Sequence, residues 1–250
     1  MMHRNLIDII EDKKLNSSDA KCLALKKFLE NNAEPALEIV NTKDETALTV
    51  ATRLGDVTCL ALLIAAKANI HHLTSHEITP LMTAAIYAQV DCLMLLLKKG
   101  ASINAQDIHG HTALDLALES RNKLHTELMS HSTTENLKAE LKKANNCVRI
   151  LLAVGAKPSW VNRTSQKYMD DLTLVLKNFD QSDTCTKQAG QQLHRLKYQQ
   201  KILVSQVQPI KISHKKSLFT TFCLFHHDEQ TPLDSKQGYK VAVNVNVKLI

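Results

Sequence analysis

Aromatic side chains are scarce in this 250-residue chain: they make up 4% of it, with a single tryptophan. The core must therefore be aliphatic, built by Leu, Ala, Val and Ile, which suits thin layers of paired helices. Glycine is scarce too. Six scattered glycines offer no phosphate-cradling loop. The six cysteines contain no C-x-x-C pair, so no zinc-ribbon or finger spacing exists. No apolar run approaches the length of a membrane span. The first apolar stretch, Leu6 to Ile10, is too short and runs too soon into Glu11 and Asp12 for a secretory signal. Cysteines without a disulfide-like pattern, several on the apolar side of predicted helices, suit a reducing, intracellular, cytoplasmic setting.

Charge is uneven. Residues 186–250 hold ten Lys or Arg against three Asp or Glu, a net of +7. The preceding residues hold 21 against 22, a net of −1. Any anionic-membrane or nucleic-acid reading therefore rests on the tail alone.

What the chain does have is a period. Thr46-Ala47-Leu48, Thr79-Pro80-Leu81 and Thr112-Ala113-Leu114 follow one another at steps of 33 residues. Ala51, Ala84 and Ala117 keep the step, as do Cys59 with Cys92 and Ala68 with Ala101. A fixed period of this length marks a protein of stacked repeats, with a long face and no central cleft. Each unit reads as short helix, turn, longer helix, loop. Thr79 caps a helix that carries Pro80 at its first position, where the missing N–H costs nothing. The second helix spans Asp91 to Lys98, with Leu93, Leu96 and Leu97 on one face, and Gly100 ends it. In the first unit Lys67 stands where Gly100 stands in the second.

These units resemble ankyrin repeats over residues 41–158. The resemblance implies a hairpin loop before each Thr and two antiparallel helices, stacked into a mostly α, curved solenoid. The family's usual Gly two residues before the Thr is replaced by Asp44 and Glu77 and kept as Gly110. Its usual His after Thr-Pro-Leu is replaced by Thr49, Met82 and Asp115. Those departures predict loops less firmly tied than in the family at large.

The third unit is enlarged. Cys92 matches Cys147 and Leu97 matches Leu152, both 55 residues apart, which leaves 22 extra residues between the two helices. Leu114, Ala117, Arg121, Leu124 and Leu128 share one stripe. Leu137, Leu141, Ala144, Val148, Leu151 and Leu152 share another. Ser132-Thr133-Thr134-Glu135 has capping-box spacing. The pattern predicts an insertion at about 121–146 shaped as a helical hairpin. It would turn near Ser130 to Thr134 and project away from the repeat-linking loops.

Residues 1–40 read as a degenerate capping repeat. One helix would hold Cys22 to Leu29 and a second would run from Glu34 to Val40. Trp160 to Asp180 reads as one closing helix and 181–192 as a linker. Helix propensity returns at Leu193 to Gln200. Candidate strands follow from Ile202 to Ile212, at Leu218 to Phe225 and in the alternating run Val241 to Leu249, giving a small α/β or β-rich tail over 186–250.

No catalytic residue, metal site or cofactor is assigned. Cys223 beside His226, His227 and Asp228 lies too close along the chain for nucleophile, base and orienting group. His71, His72, His76, His109 and His111 read as loop residues making ordinary polar contacts. Lys211, His214, Lys215 and Lys216 form a small basic patch.

The leading expectation is a scaffold for a protein partner. By resemblance, the contact set is Lys43, Glu45, Arg53, His76, Ile78, Ile86, Tyr87, Ile108, His109, His111 and Glu119, with Ile86 and Tyr87 as anchors. Two alternatives stand beside it. Worn repeats with a basic tail look like ankyrin proteins that bacteria secrete into host cells. In that case the repeats would deliver an activity in or beyond the C-terminal region, and the setting is the host cytoplasm. The basic tail could instead contact anions or nucleic acid. Neither a small-molecule substrate nor a nucleic acid is called for by the repeats themselves.

Overall fold

A computed structural model describes residues 6–12, 18–31, 37–130 and 135–206. They lie in one unit, Met1–Val207; the second, Gln208–Ile250, falls outside them. So do the candidate strands beyond residue 206, the Cys223 cluster, the basic patch and the turn at 131–134.

The helices in chain order are α1 Leu6–Glu11, α2 Ser18–Asn31, α3 Ala47–Leu54, α4 Val57–Ala65, α5 Pro80–Ile86, α6 Val90–Lys98, α7 Ala113–Ser130, α8 Glu135–Ala153, α9 Trp160–Thr164, α10 Gln166–Lys177 and α11 Thr184–Gln206. No strand occurs among the described residues. Among the described residues successive helices pack in pairs: α1 with α2, α3 with α4, α5 with α6, α7 with α8, and α10 with α11. First helices stack in the order α1, α3, α5, α7, and second helices in the order α2, α4, α6, α8, α11.

The period explains the stack. Thr46 and Thr79 sit just before their helices in extended backbone, and their hydroxyls accept from the amides of Thr49 and Met82. Ala51, Ala84 and Ala117 are buried at the meeting of first helices, where a small side chain lets neighbouring backbones approach. Leu48, Leu81 and Leu114 fill the same layer. In the second helices Cys59, Leu60 and Leu63 repeat as Cys92, Leu93 and Leu96. They repeat again, 55 residues on, as Cys147, Val148 and Leu151. All nine are fully buried, so the insertion leaves the stacking register intact.

The insertion lengthens both helices of the third pair. α7 runs for 18 residues, against 7 for α5, and its extra turns lie at its C-terminal end, away from the hairpin that precedes it. Leu124 packs on the core, while Met129, near the tip, is exposed.

Three sequence expectations are corrected. The capping pair is α1 with α2. Residues 37–38 form a turn and Val40 bridges Thr46 in antiparallel fashion, so no helix occupies 37–40. The first-helix layer needs an element ahead of α2, and the apolar face Leu6, Ile7, Ile9, Ile10 supplies it, all four buried. The closing helix is broken at Ser165, whose extended backbone (ψ 116) ends α9 and caps α10. Most of the expected linker, and residues 202–206 of the first candidate strand, are helix instead. α11 runs unbroken from Thr184 to Gln206, with Ala189, Leu193 and Leu196 buried. The β-branched residues Ile202 and Val204 ride at its exposed end, because packing on α8 outweighs their strand preference.

Candidate protein-binding face

Each hairpin loop is closed by one polar residue, at a position that again steps by 33. The side chain of Asn41 accepts from the amides of Lys43 (2.9 Å) and Glu45 (3.0 Å). Thr74 accepts from the Ile78 amide (3.1 Å). Asp107 accepts from His109 (2.9 Å) and His111 (2.8 Å). Side chains that bond the backbone a few residues on pre-form such turns. Asp44, Glu77 and Gly110 all take positive φ, at 60°, 58° and 78°. The two non-glycine loops thus adopt the shape of the glycine loop, at some backbone cost. Neighbouring tips are also joined. The Ser75 amide donates to the Asp44 carboxylate, and the Ile108 amide to the His76 carbonyl at 3.2 Å. The expectation of loosely tied loops is therefore corrected, since anchors at 41, 74 and 107 do the tying.

The expected contact residues divide by what they already touch. Lys43, His76, Ile108 and His109 are exposed along the hairpin tips. Tyr87 caps α5 and is 50% exposed, as is Ile108. Glu119 is exposed and pairs with Lys123 at 2.8 Å, one helical turn on. Ile78 and Ile86 are half-buried; Ile78 packs on the core and the Ile86 carbonyl accepts from the Ser120 hydroxyl at 2.7 Å. The Ile86 backbone is thus tied to α7, and Tyr87 is the more exposed of the two expected anchors. The His111 ring faces Asp107 at 3.3 Å.

Glu45 and Arg53 are turned to one another. Arg53 Nε donates to Glu45 Oε1 at 2.8 Å, and its Nη2 reaches Glu11 of the capping pair at 2.8 Å. Burial pushes the Glu45 carboxyl upward. Hydrogen bonds from Arg53 and Asn41, together with the Arg53 charge, outweigh that and hold it below the usual carboxylate range. The pair acts first as a tie between the first hairpin, α3 and α1.

Beyond the third repeat the face continues in an unexpected form. Stepping 55 residues from Ala105–Gly110 lands on Trp160–Ser165, where a fourth hairpin would fall. The short helix α9 occupies that place. Asp115, buried at the start of α7, binds it there, accepting from the Ser159 amide and the Asn162 side chain, both at 2.8 Å. The same carboxylate accepts from Thr112 N and Oγ1 at 2.9 Å. Trp160 and Val161 are left exposed. The sequence reading assigned Trp160 to a closing helix, although the 55-residue step carries the signal for its place. A cleft of about 470 Å³ lies alongside, lined by His111, Asp115, Glu119, Lys167, Tyr168 and Asp171. Burial and the nearby Asp115 charge hold the Tyr168 phenol well above its ordinary range.

Comparison with known proteins agrees with this arrangement. The sequence family described as "Ankyrin repeats (3 copies)" matches residues 17–107 and 48–162. The human "Ankyrin repeat and KH domain-containing protein 1" is 35% identical over 94 residues, covering 37% of this chain and 4% of that protein. The Drosophila melanogaster "Ankyrin repeat and KH domain-containing protein mask" is 32% identical over 109 residues, 43% of this chain and 3% of its own length. A zebrafish (Danio rerio) protein, "Putative palmitoyltransferase ZDHHC13", is 36% identical over 73 residues, 29% and 11%. The similarity thus spans a small part of each of these much longer relatives.

Proposed function

This chain belongs to the ankyrin repeat family, and from that premise we propose that its hairpin tips and first helices form one binding face for a protein partner. Ankyrin repeats are in general protein-interaction modules. One observation carries the proposal: Tyr87 and Ile108, each half-exposed, stand on tied backbone, the Tyr87 amide donating to the Thr83 carbonyl (3.1 Å) at the end of α5, and the Asp107 anchor and the Ile108–His76 bond holding the loop of Ile108. An apolar residue on a pre-formed loop loses little freedom on docking, so more of its burial appears as affinity. Lys43, His76, His109 and Glu119, exposed on the hairpins and on α7, add polar groups suited to a rim. Trp160 extends the same series of linking elements.

The test compares capture from cytosol by the entire chain, by Tyr87→Ala/Ile108→Ala, and by Met94→Ala, which alters an exposed residue on a second helix. Proteins retained by the entire chain and by Met94→Ala, and lost by the double variant at unchanged helical content, support this face. Equal retention by all three overturns it. The effector-like and anion-binding readings rest on the basic region 186–250, the effector-like one also on what would lie beyond it, and residues 207–250 can be removed without cutting α11. Capture that disappears when those residues alone are removed would favour them instead. We also keep the cytoplasmic setting as a proposal, supported by Cys59, Cys92 and Cys147 filling core positions as thiols.

A further inference from the structure

We propose that Cys22, Cys59 and Asp56 form a binding site for a thiophilic divalent cation of the zinc class, at the junction between the capping pair and the first repeat. Cys22 lies in the first turns of α2 and Cys59 in the first turn of α4, and their sulfurs are 3.8 Å apart. One ligand atom from each of the three residues lies within 4.8 Å of the other two. Among the described residues no other three such groups converge this way.

The spacing suits a shared ion. Two sulfurs bound at about 2.3 Å to one tetrahedral ion stand about 3.8 Å apart. A disulfide holds its sulfurs at about 2.05 Å, so the two cysteines as placed are free thiols. Thiols in contact are also ordinary core packing, and Cys92 and Cys147 fill the matching places of α6 and α8 in that role. The carboxylate sets the first junction apart. Asp56 is the N-cap of α4, accepting from the Cys59 amide at 3.1 Å and the Thr58 hydroxyl at 2.7 Å, and those bonds fix it beside the sulfurs. Cys22 is half-buried, which gives an ion a route from solvent and leaves a fourth position for water.

Binding needs no oxidant. Each thiol gives its proton to solvent as its metal–sulfur bond forms, so two protons leave per ion. Without metal, burial and the adjacent Asp56 push the Cys59 thiol up and keep it protonated. A bound divalent cation replaces the two thiol protons and takes the carboxylate as a third ligand, so the site keeps one net negative charge. The ion would clamp α2 to α4 and so hold the capping pair on the stack.

The experiment titrates the entire chain, kept reduced with a phosphine, with Cd²⁺ and follows the ultraviolet thiolate-to-cadmium charge-transfer band. The band is expected to saturate at a single equivalent and to be displaced by Zn²⁺. It should vanish in Cys22→Ser and persist in Cys185→Ser. Asp56→Asn, which keeps an N-cap side chain, should weaken binding without unfolding α4. Zn²⁺ should raise the melting temperature of the entire chain and leave that of Cys22→Ser unchanged. No band in the entire chain, or an equal band in Cys22→Ser, overturns the site. Cys22 is half-buried, so its serine variant remains a fair test even where Cys59→Ser fails to fold.

Discussion

The guanidinium of Arg121 donates through Nε to the side-chain carbonyl of Asn145, 3.2 Å away, across the two helices of the enlarged third repeat. Both residues are buried. Burial draws the guanidinium below its ordinary range, against the opposing pull of the Asp171 charge. Nη1 is held by Asn122 at 2.8 Å. A buried cation bonded by amides fixes register at a cost in stability.

Asn145→Leu is therefore expected to destabilise the chain by about 1–3 kcal/mol, because it strands a buried donor. Arg121→Met/Asn145→Leu should recover most of that loss, since it removes both polar partners together. Urea unfolding of the two variants checks the order. A double variant less stable than the single one would show that the pair contributes net stability.

The arm built from α7 and α8 should hold its base and fray at its tip. Amide exchange is expected to be slow over 114–121 and 144–152, where the stripes are buried, and faster toward 126–130 and 135–140, where most side chains are exposed. Leu124→Asp should speed exchange in the arm and leave α3 to α6 unchanged, because repeat stability is local.

Lys67 and Gly55 should respond in opposite ways to exchange of side chain. Lys67 holds φ 68°, so Lys67→Gly is expected to stabilise by roughly 0.5–1 kcal/mol once the greater freedom of unfolded glycine is set against the relief. Gly55 holds φ 75°, and a Cβ there would lie 2.3 Å from Gln89 Oε1. Gln89 would have to move and give up its bond to the Arg53 carbonyl, 3.1 Å long. Gly55→Ala should cost about 1–2 kcal/mol for the backbone and about 1 more for that bond. Thermal melts of both variants decide the signs.

The Glu45–Arg53 tie gives an acid-side dependence. The Glu45 carboxyl is held below its usual range in the folded chain. Its contribution is therefore fully present above the unfolded value, about 4.3, and is lost as pH falls through the lower folded value. The melting-temperature gap between the entire chain and Glu45→Gln should be constant above about pH 5 and close below about pH 4. A gap that instead closes on the alkaline side would rule out this carboxylate as its source.

The 33-residue step determined the pairs α3–α4 and α5–α6, their capping threonines and their buried Leu, Ala and Cys positions. The 55-residue step determined that the insertion keeps the register. These are local and periodic facts: a cap needs one hydroxyl at one place, and a stack needs the same small and large residues in each layer. Tertiary structure decided the rest. It drew Leu6–Glu11 into the first-helix layer, because that layer had an open end. It kept Thr184–Gln206 helical past a β-branched run, because α8 offered Ala189, Leu193 and Leu196 a surface. It placed Trp160 on the linking face, because the Asp115 carboxylate bound the backbone beside it. It also paired Arg53 with Glu45 and Glu11, and it left Tyr87 and Ile108 exposed. Such outcomes depend on which distant surfaces meet; for Trp160 alone does a spacing, the 55-residue step, carry part of that information.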